Sequence, residues 1–176
     1  MTDATLERMQ ILSFILDEDC FGAEISAIQE VIEYRRVTSV PRTPDFMLGV
    51  INLRGQVIPV VDLRSYFGLN LREITVDSCI IIIEVMLEGE PCAVGLLADQ
   101  VKEVVEFGVD EIKPAPKLGN KINARFIYGV AQHEEDLVIL LWLSRIFSSD
   151  ELQDVIEAGA TEPDQGEAQM TEEGAD

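Results

Sequence analysis

The sequence predicts an all-β protein with short helices, built from two similar small units. Its apolar residues fall in short runs separated by turn residues, a pattern typical of small β-domains. The same order of glycine, aromatic and apolar positions occurs twice along the chain. Hydrophobic residues make up 47% of the 176 residues, which is enough to form a core. Because each unit alone would bury only a marginal core, we expect the two units to pack against each other.

The first third of the chain predicts a strand, a helical turn and an extended loop. Residues 1–10 are polar and predict a flexible lead-in. The run 11–16 is rich in β-forming residues and ends at an acidic turn, so it predicts a strand. Apolar positions from Ile25 to Ile32 are spaced as in a short helical turn rather than a strand. Prolines at 41 and 44 then fix an extended loop.

A hairpin and a short helix complete the first unit. The apolar runs 46–51 and 57–61 predict two strands. The five residues between them, 52–56, predict a hairpin turn. Asp62 is placed to cap a short helix over residues 63–67, and a glycine follows that helix directly.

The second half repeats this order of elements. A shift of 73 places Gly22 on Gly95 and Glu30 on Glu103, and a shift of 80 places Gly49 on Gly129. Short strands avoid exposed edges by closing into barrels. We therefore expect one barrel at about 11–72 and a second at about 79–147, and strand exchange between them is left open.

The C-terminal part predicts one more helix and an acidic tail. A capping-box pattern at 148–151 precedes apolar residues on one helical face, so we expect a short helix over 150–159. Residues 160–176 are mostly acidic and small, and they predict a disordered acidic tail.

The charge balance excludes two classes of partner. The chain has 13 Lys and Arg against 33 Asp and Glu, a net charge of -20. Nucleic acids and anionic membranes both bind positive charge, so neither is expected as a partner. The apolar runs are too short for direct membrane insertion, and the N-terminus lacks the pattern of a signal peptide. These features predict a cytoplasmic protein.

Motifs that carry catalysis or bind cofactors were not found in the sequence. The single histidine, His133, lies in an acidic turn with residues 134–136, which lacks the ligand spacing of a calcium loop. We expect a solvated turn there, with no metal and no cofactor. Cys20, Cys79 and Cys92 leave a small cysteine-dependent enzyme as an alternative. It is not favoured, because no activating base accompanies any of the thiols in the sequence.

Arg54 is the residue that most suggests an interaction site. It places a permanent positive charge at the tip of the first hairpin, where the second unit has acidic residues. Arg54 could pair with Glu30 and hold the local structure. It could also contact a partner, since arginine is favoured at interfaces. The residues alone leave both roles open.

From about 11 to 147 the sequence resembles the CheW-type coupling proteins of bacterial chemotaxis. The matching segments are 21–25, 28–32, 40–44, 49–55, 57–63, 94–101, 112–116, 128–130 and 137–141. The resemblance implies two intertwined, five-stranded SH3-like barrels and no catalysis. It implies an adaptor that joins chemoreceptors to a CheA-type histidine kinase in an array at the inner membrane. An adaptor of a non-flagellar array, for surface motility or gene regulation, is the alternative within this fold.

The resemblance also implies where the partners bind. The regulatory domain of the kinase is expected to dock barrel to barrel, and the cytoplasmic tip of the chemoreceptor in an apolar groove between the barrels. Glu30 and Arg54 match residues that interact and matter for coupling. The other expected interaction residues are Ile28, Gln29, Val31, Gly49, Asn52, Leu53 and Asp99.

Trp142 departs from the family pattern. It stands where many members have a small polar residue, and the internal repeat pairs it with Asp62. Packing by the final helix and an altered docking surface are both open as explanations.

Overall fold

Two five-stranded sheets, in which most neighbouring strands are antiparallel, form the framework of the fold. A computed structural model describes residues 8–115, 122–150, 152–154 and 156–157. The strands in this part are β1 (Arg8–Leu16), β2 (Asp19–Glu24), β3 (Ile28–Glu33), β4 (Met47–Leu53), β5 (Gln56–Val61), β6 (Cys79–Leu87), β7 (Glu90–Ala98), β8 (Gln100–Gly108), β9 (Ile127–His133) and β10 (Asp136–Leu141). The helices are α1 (Leu63–Phe67), α2 (Leu143–Ile146) and a last helix, α3, with helical residues at 150, 152–154 and 156–157. Single 3₁₀ turns cover Ile25–Ala27, Val109–Glu111 and Ala124–Phe126.

Each sheet takes strands from both halves of the chain. The strand order is β8-β1-β2-β10-β9 in one sheet, here barrel A, and β3-β6-β7-β5-β4 in the other, barrel B. Replacing each strand of barrel A by its repeat counterpart gives barrel B. The register agrees as well, since Leu140 pairs with Gly22 and Val60 pairs with Gly95. The two SH3-like subdomains predicted from the sequence are confirmed, and their strands are exchanged.

Strand exchange changes the meaning of the predicted unit boundaries. Residues 11–72 contribute β1 and β2 to barrel A and β3 to β5 to barrel B, so neither barrel is a contiguous segment. The first strand also begins at Arg8, inside the expected lead-in, because β8 provides a hydrogen-bonding partner for Arg8 to Gln10. Residues 1–7 lie outside the described part of the chain.

Three larger apolar clusters hold this arrangement together, beside a small fourth cluster around Met47. One fills barrel A and includes Ile11 and Val138, and one fills barrel B and includes Ile58 and Ile80. The largest lies between the barrels and draws residues from both sheets; its fully buried members include Phe14, Phe21, Ile83 and Phe147. The mutual packing expected from the small size of each unit is therefore present.

The segment around Ile28 was predicted as a helical turn, which is only partly correct. A 3₁₀ turn ends at Ala27, and Ile28–Glu33 then form β3. Burial alternates along β3, with Val31 exposed and its neighbours half-buried. This period of two follows from pairing with β6, a partner that lies far away in sequence.

The C-terminal helix docks on the cluster between the barrels. Leu152 and Ile156 are both fully buried there. The Ser149 hydroxyl accepts a hydrogen bond from the Leu152 backbone N–H at 3.4 Å, as a helix cap does. The predicted acidic tail, 160–176, lies outside the described residues. In the described ranges, no helix is long and apolar enough to cross a membrane.

Candidate protein-interaction surface

The hairpin between β4 and β5 presents Arg54 at its tip. The predicted turn had five residues, but only Arg54 and Gly55 lie between the strands, because Leu53 already pairs with Gln56. Both turn residues have positive φ angles, 53° and 86°. This is the signature of a tight two-residue turn that matches the twist of a hairpin. The Asn52 side chain supports it by accepting a hydrogen bond from the Gly55 N–H at 3.0 Å.

Arg54 and Glu30 form an ion pair at one corner of barrel B. The Arg54 guanidinium donates to the Glu30 carboxylate. β3 and β4 are the two edge strands of this sheet, so the ion pair connects one edge of the sheet with the other. Arg35 reinforces the closure by donating to the Asn52 carbonyl oxygen at 2.7 Å. The Arg54 side chain is 68% exposed, so the same group that closes the barrel is also available to a partner.

Barrel A closes at the equivalent corner with different side chains. The Glu103 carboxylate lies 3.0 Å from His133 Nε2, and Lys102 lies 3.2 Å from Asp136. His133 therefore joins the edge strands β8 and β9, where the sequence suggested a solvated turn residue. Glu103, His133 and Glu134 bring three possible metal-ligand atoms within 4.8 Å of one another. His133 Nε2 lies 3.0 Å from the Glu103 carboxylate and 3.7 Å from the Glu134 carboxylate, and these two contacts bring the group together.

Some of the other residues expected near the corner are exposed, and the others are packed in the apolar clusters beneath it. Gln29, Val31 and Asn52 are exposed, with Val31 at 39%. Leu53 belongs to the interior of barrel B, and Ile28 packs against the cluster between the barrels. These two can influence a partner only through the shape of the surface above them.

Gly49 allows two backbone segments to cross beside the corner. Its φ angle is 146°, and a Cβ atom there would collide with the Thr38 carbonyl oxygen. Thr38 and Val50 exchange backbone hydrogen bonds of 2.9 and 2.8 Å at this crossing. Barrel A repeats the feature, since a Cβ atom on Gly129 would lie 2.7 Å from the Lys113 carbonyl oxygen. Gly49 is thus required by backbone packing.

Asp99 does not lie at the exposed corner around Arg54. It belongs to a buried network of ion pairs. Its carboxylate accepts from Arg64 at 2.7 Å and from the Asp17 backbone N–H at 2.6 Å. Arg64 also binds Asp62 through two nitrogens, each at 2.9 Å, and its side chain is 4% exposed. The two carboxylates outweigh desolvation and raise the pKa of Arg64. The network ties the β1–β2 turn of barrel A to barrel B.

Sequence reasoning missed this network. Asp62 was read only as a helix cap, a role that the structure confirms because it accepts from the Arg64 N–H at 2.9 Å. The available signal was a pair of opposite charges, Asp62 and Arg64, two residues apart at the end of an apolar run. Its partner Asp99 lies 35 residues away, which local patterns cannot reveal.

The three cysteines lie in surroundings that suppress thiol reactivity. Burial raises the pKa of Cys20, Cys79 and Cys92. A raised thiol pKa leaves less of the nucleophilic thiolate at neutral pH. The hydrogen-bonding partner that the structure gives His133 is Glu103, a carboxylate and not a thiol.

The CheW-like domain family model matches residues 10–151. The chain belongs to the CheW-like domain family. Among its relatives, chemotaxis protein CheW of Klebsiella aerogenes is 32% identical over 146 residues, covering 81% of this chain and 84% of the relative. The same-named protein of Thermotoga maritima is 33% identical over 144 residues, covering 80% and 89%. The crystal structure of the scaffolding protein TtCheW from Thermoanaerobacter tengcongensis matches with a TM-score of 0.71 and 35% identity, over 81% of this chain and 90% of that one.

Proposed function

We propose that this CheW-like protein is a non-enzymatic adaptor that couples chemoreceptors to a CheA-type histidine kinase. The family match over residues 10–151 carries the proposal. Relatives that are named chemotaxis proteins, and a structural neighbour named as a scaffolding protein, support it. The geometry fits a binding role, because the ion pair of Arg54 and Glu30 is exposed at a corner of barrel B.

The corner around Arg54 is the proposed docking site for the regulatory domain of the kinase. Gln29, Glu30, Asn52 and Arg54 offer exposed or half-exposed polar groups on two strand edges. Arginine suits such a contact because its planar group offers several donors in a fixed arrangement. Gly49 and Leu53 hold the backbone beneath this surface, and Asp99 acts from further away through the buried network.

The chemoreceptor tip is proposed to bind the apolar seam between the barrels. Ile28 and its repeat counterpart Val101 both pack at the edge of the central cluster. Val31 and its counterpart Val104 are 39% and 54% exposed. The corresponding strands β3 and β8 thus both expose an apolar side chain at the same position. We place the working protein in the cytoplasm, at receptor arrays on the inner membrane.

A cysteine-dependent enzyme gains no support as the alternative. Such enzymes lower the pKa of the reactive thiol, whereas burial here raises it for all three. The proposed adaptor needs no catalytic group, metal or cofactor.

Calorimetric titration against the regulatory domain of the co-encoded histidine kinase tests the proposal. Wild type should bind with micromolar affinity, and Arg54→Glu should weaken binding at least about tenfold, since it places two carboxylates together at the contact. Arg8→Glu is the matched control. Arg8 is also exposed, and it pairs at 3.5 Å with Glu106 of β8, an edge strand of barrel A. It should bind like wild type.

The double substitution Glu30→Arg with Arg54→Glu separates the two roles of Arg54. It keeps the ion pair but reverses its direction, so the fold should survive while kinase binding stays weak. Recovered binding would show that Arg54 acts only by closing the barrel. Absence of binding by the wild type would redirect the proposal to the kinase of a different, non-flagellar array.

A further inference from the structure

The two barrels carry the same junction between their last strand and the helix that follows. In barrel B the Asp62 N–H donates to the Phe46 carbonyl oxygen at 2.7 Å. In barrel A the Trp142 N–H donates to the Phe126 carbonyl oxygen at 2.8 Å. The backbone is therefore held in the same way at Asp62 and at Trp142, whereas the side chains at the two junctions differ.

In barrel B an arginine fills the space at this junction. The helix begins Leu63-Arg64-Ser65, and Arg64 turns inward, where Asp62 and Asp99 bind it. Burial of the charge is possible because both carboxylates are present.

In barrel A the arginine and the serine are transposed. The helix begins Leu143-Ser144-Arg145, so an exposed serine stands where barrel B has Arg64. Successive helix residues point about 100° apart. Arg145 accordingly lies outside the junction, with its guanidinium carbon 3.5 Å from the centre of the Trp142 ring. Trp142 and Ser26 replace the two carboxylates that hold Arg64, so the ionic character of the site is lost.

The transposition leaves an open, largely apolar pocket. Its volume is about 230 Å³. A dry apolar cavity of about 150 Å³ is known to accept benzene, so this space suits one aromatic side chain. Tyr128 packs edge-on against Trp142 at 5.2 Å between ring centres and forms part of the wall. The other main apolar lining residues are Met9, Ile11, Ala23 and Leu140.

Two arginines lie near the Trp142 wall of this pocket, although the chain as a whole is acidic. Arg145 stacks on the Trp142 ring and donates to the Arg125 backbone carbonyl oxygen at 3.5 Å, which brings the two residues together. In the described ranges neither arginine has a carboxylate partner, although the chain carries a net charge of -20. Glu24, at the opposite rim, is the acidic side chain among the lining residues.

We propose that this pocket, formed by β1, β2, β10 and the start of α2, binds one aromatic side chain flanked by carboxylates on a partner protein. The ring would occupy the place that Arg64 fills in barrel B, and the carboxylates would meet Arg125 and Arg145. The site is separate from the Arg54 corner and extends the coupling role to a further contact.

Trp142 makes the proposal measurable, because it is the single tryptophan of the chain. The experiment titrates the full chain with the blocked peptide Glu-Ser-Phe-Ser-Glu and follows Trp142 fluorescence and backbone amide NMR shifts. We expect saturable binding with a dissociation constant on the order of 1 mM. Replacing Phe by Ser, or both Glu by Lys, should weaken binding at least about tenfold.

Variants of the chain give a second test. Ser144→Phe adds an aromatic ring to a residue that lines the pocket, and it should abolish peptide binding by filling the space. Should that variant fold poorly, Arg125→Gln with Arg145→Gln tests the charged rim and should weaken binding at least about fivefold. Arg36→Gln, on an exposed arginine that follows β3 of barrel B, is the control and should bind like wild type.

Three results would overturn the proposal. The first is the absence of a saturable change up to about 10 mM peptide. The second is equal binding of the Phe and Ser peptides. The third is a gain of peptide binding at least about tenfold on deletion of 158–176, which would assign the pocket to the chain's own acidic segment around Met170. Each leaves the kinase titration at Arg54 unaffected.

Discussion

Arg54 and Arg64 are both paired with carboxylates, but their surroundings differ. Arg54 is 68% exposed and faces one carboxylate, whereas Arg64 is 4% exposed and faces two. Exposed pairs contribute at most about 1 kcal/mol because water screens them. Breaking a buried pair leaves a desolvated charge without compensation. The first arginine is therefore suited to recognition and the second to structure.

Removal of Arg64 should destabilise the fold strongly. Arg64→Ala leaves the Asp62 carboxylate buried and unpaired, so we expect a loss of about 3–5 kcal/mol in the free energy of unfolding. Arg54→Ala should cost no more than about 1 kcal/mol. Urea denaturation of the two variants provides the comparison. Similar losses for both would contradict the assignment of structural and recognition roles.

Asp17 gives the stability a dependence on acid. Burial alone would raise the pKa of Asp17, but hydrogen bonds from Arg72 and Asn70 outweigh it and hold the pKa below its usual 3.8. The contribution of this carboxylate is thus complete above pH 3.8 and is lost as the pH falls through the lowered pKa.

Arg72→Gln should remove the part of that contribution that Arg72 provides, while the Asn70 N–H still donates to Asp17. The urea midpoint of the variant should lie below that of wild type by a constant amount from about pH 7 to about pH 5, and the gap should shrink in more acidic solution. A gap that widens with acid would show that Arg72 acts through another group.

At the scale of elements, the crossing at Gly49 fixes how β4 meets the segment before it. Gly49 and Gly55 both have positive φ angles, but Gly55 has open space around its Cα. Gly55→Ala should cost about 1 kcal/mol from backbone strain alone. Gly49→Ala adds a collision with Thr38 and should cost at least about 3 kcal/mol.

Thermal or urea denaturation of both glycine variants measures this difference. Equal costs would mean that the backbone at Thr38 moves aside easily. Kinase binding by Gly49→Ala is interpretable only with that stability in hand, since an unfolded corner loses every contact at once.

The elements that sequence predicted correctly are those with local signals. Asp62 and Gly68 lie directly before and after the five residues of α1, and in the structure they are its N-cap and its C-cap. β3 was assigned a helical spacing because its strand partner, β6, lies about fifty residues away. For the candidate interaction surface, the internal repeat and the positive charge of Arg54 pointed to the corner of barrel B at which Arg54 lies. The Arg64 network and the open pocket depend on residues brought together only by strand exchange.

At the scale of the whole molecule, strand exchange predicts that neither half folds alone. A fragment of residues 1–77 holds β1 to β5 but lacks β8, β9 and β10 of barrel A and β6 and β7 of barrel B. We expect fragments 1–77 and 78–176 to be unfolded separately and to regain the wild-type circular dichroism spectrum when mixed. Cooperative folding of either fragment alone would contradict this.

The pairing of β1 with β8 also means that β1 is synthesised long before its partner strand. Leu16 leaves the ribosome well before Gln100, which begins the strand that completes its edge. At about 5–20 residues per second, the intervening 84 residues take about 4–17 s. During that interval the nascent chain carries unpaired apolar edges that trigger factor-like chaperones or neighbouring nascent chains can reach. A slower synthesis rate should therefore lengthen the time for which these edges are exposed.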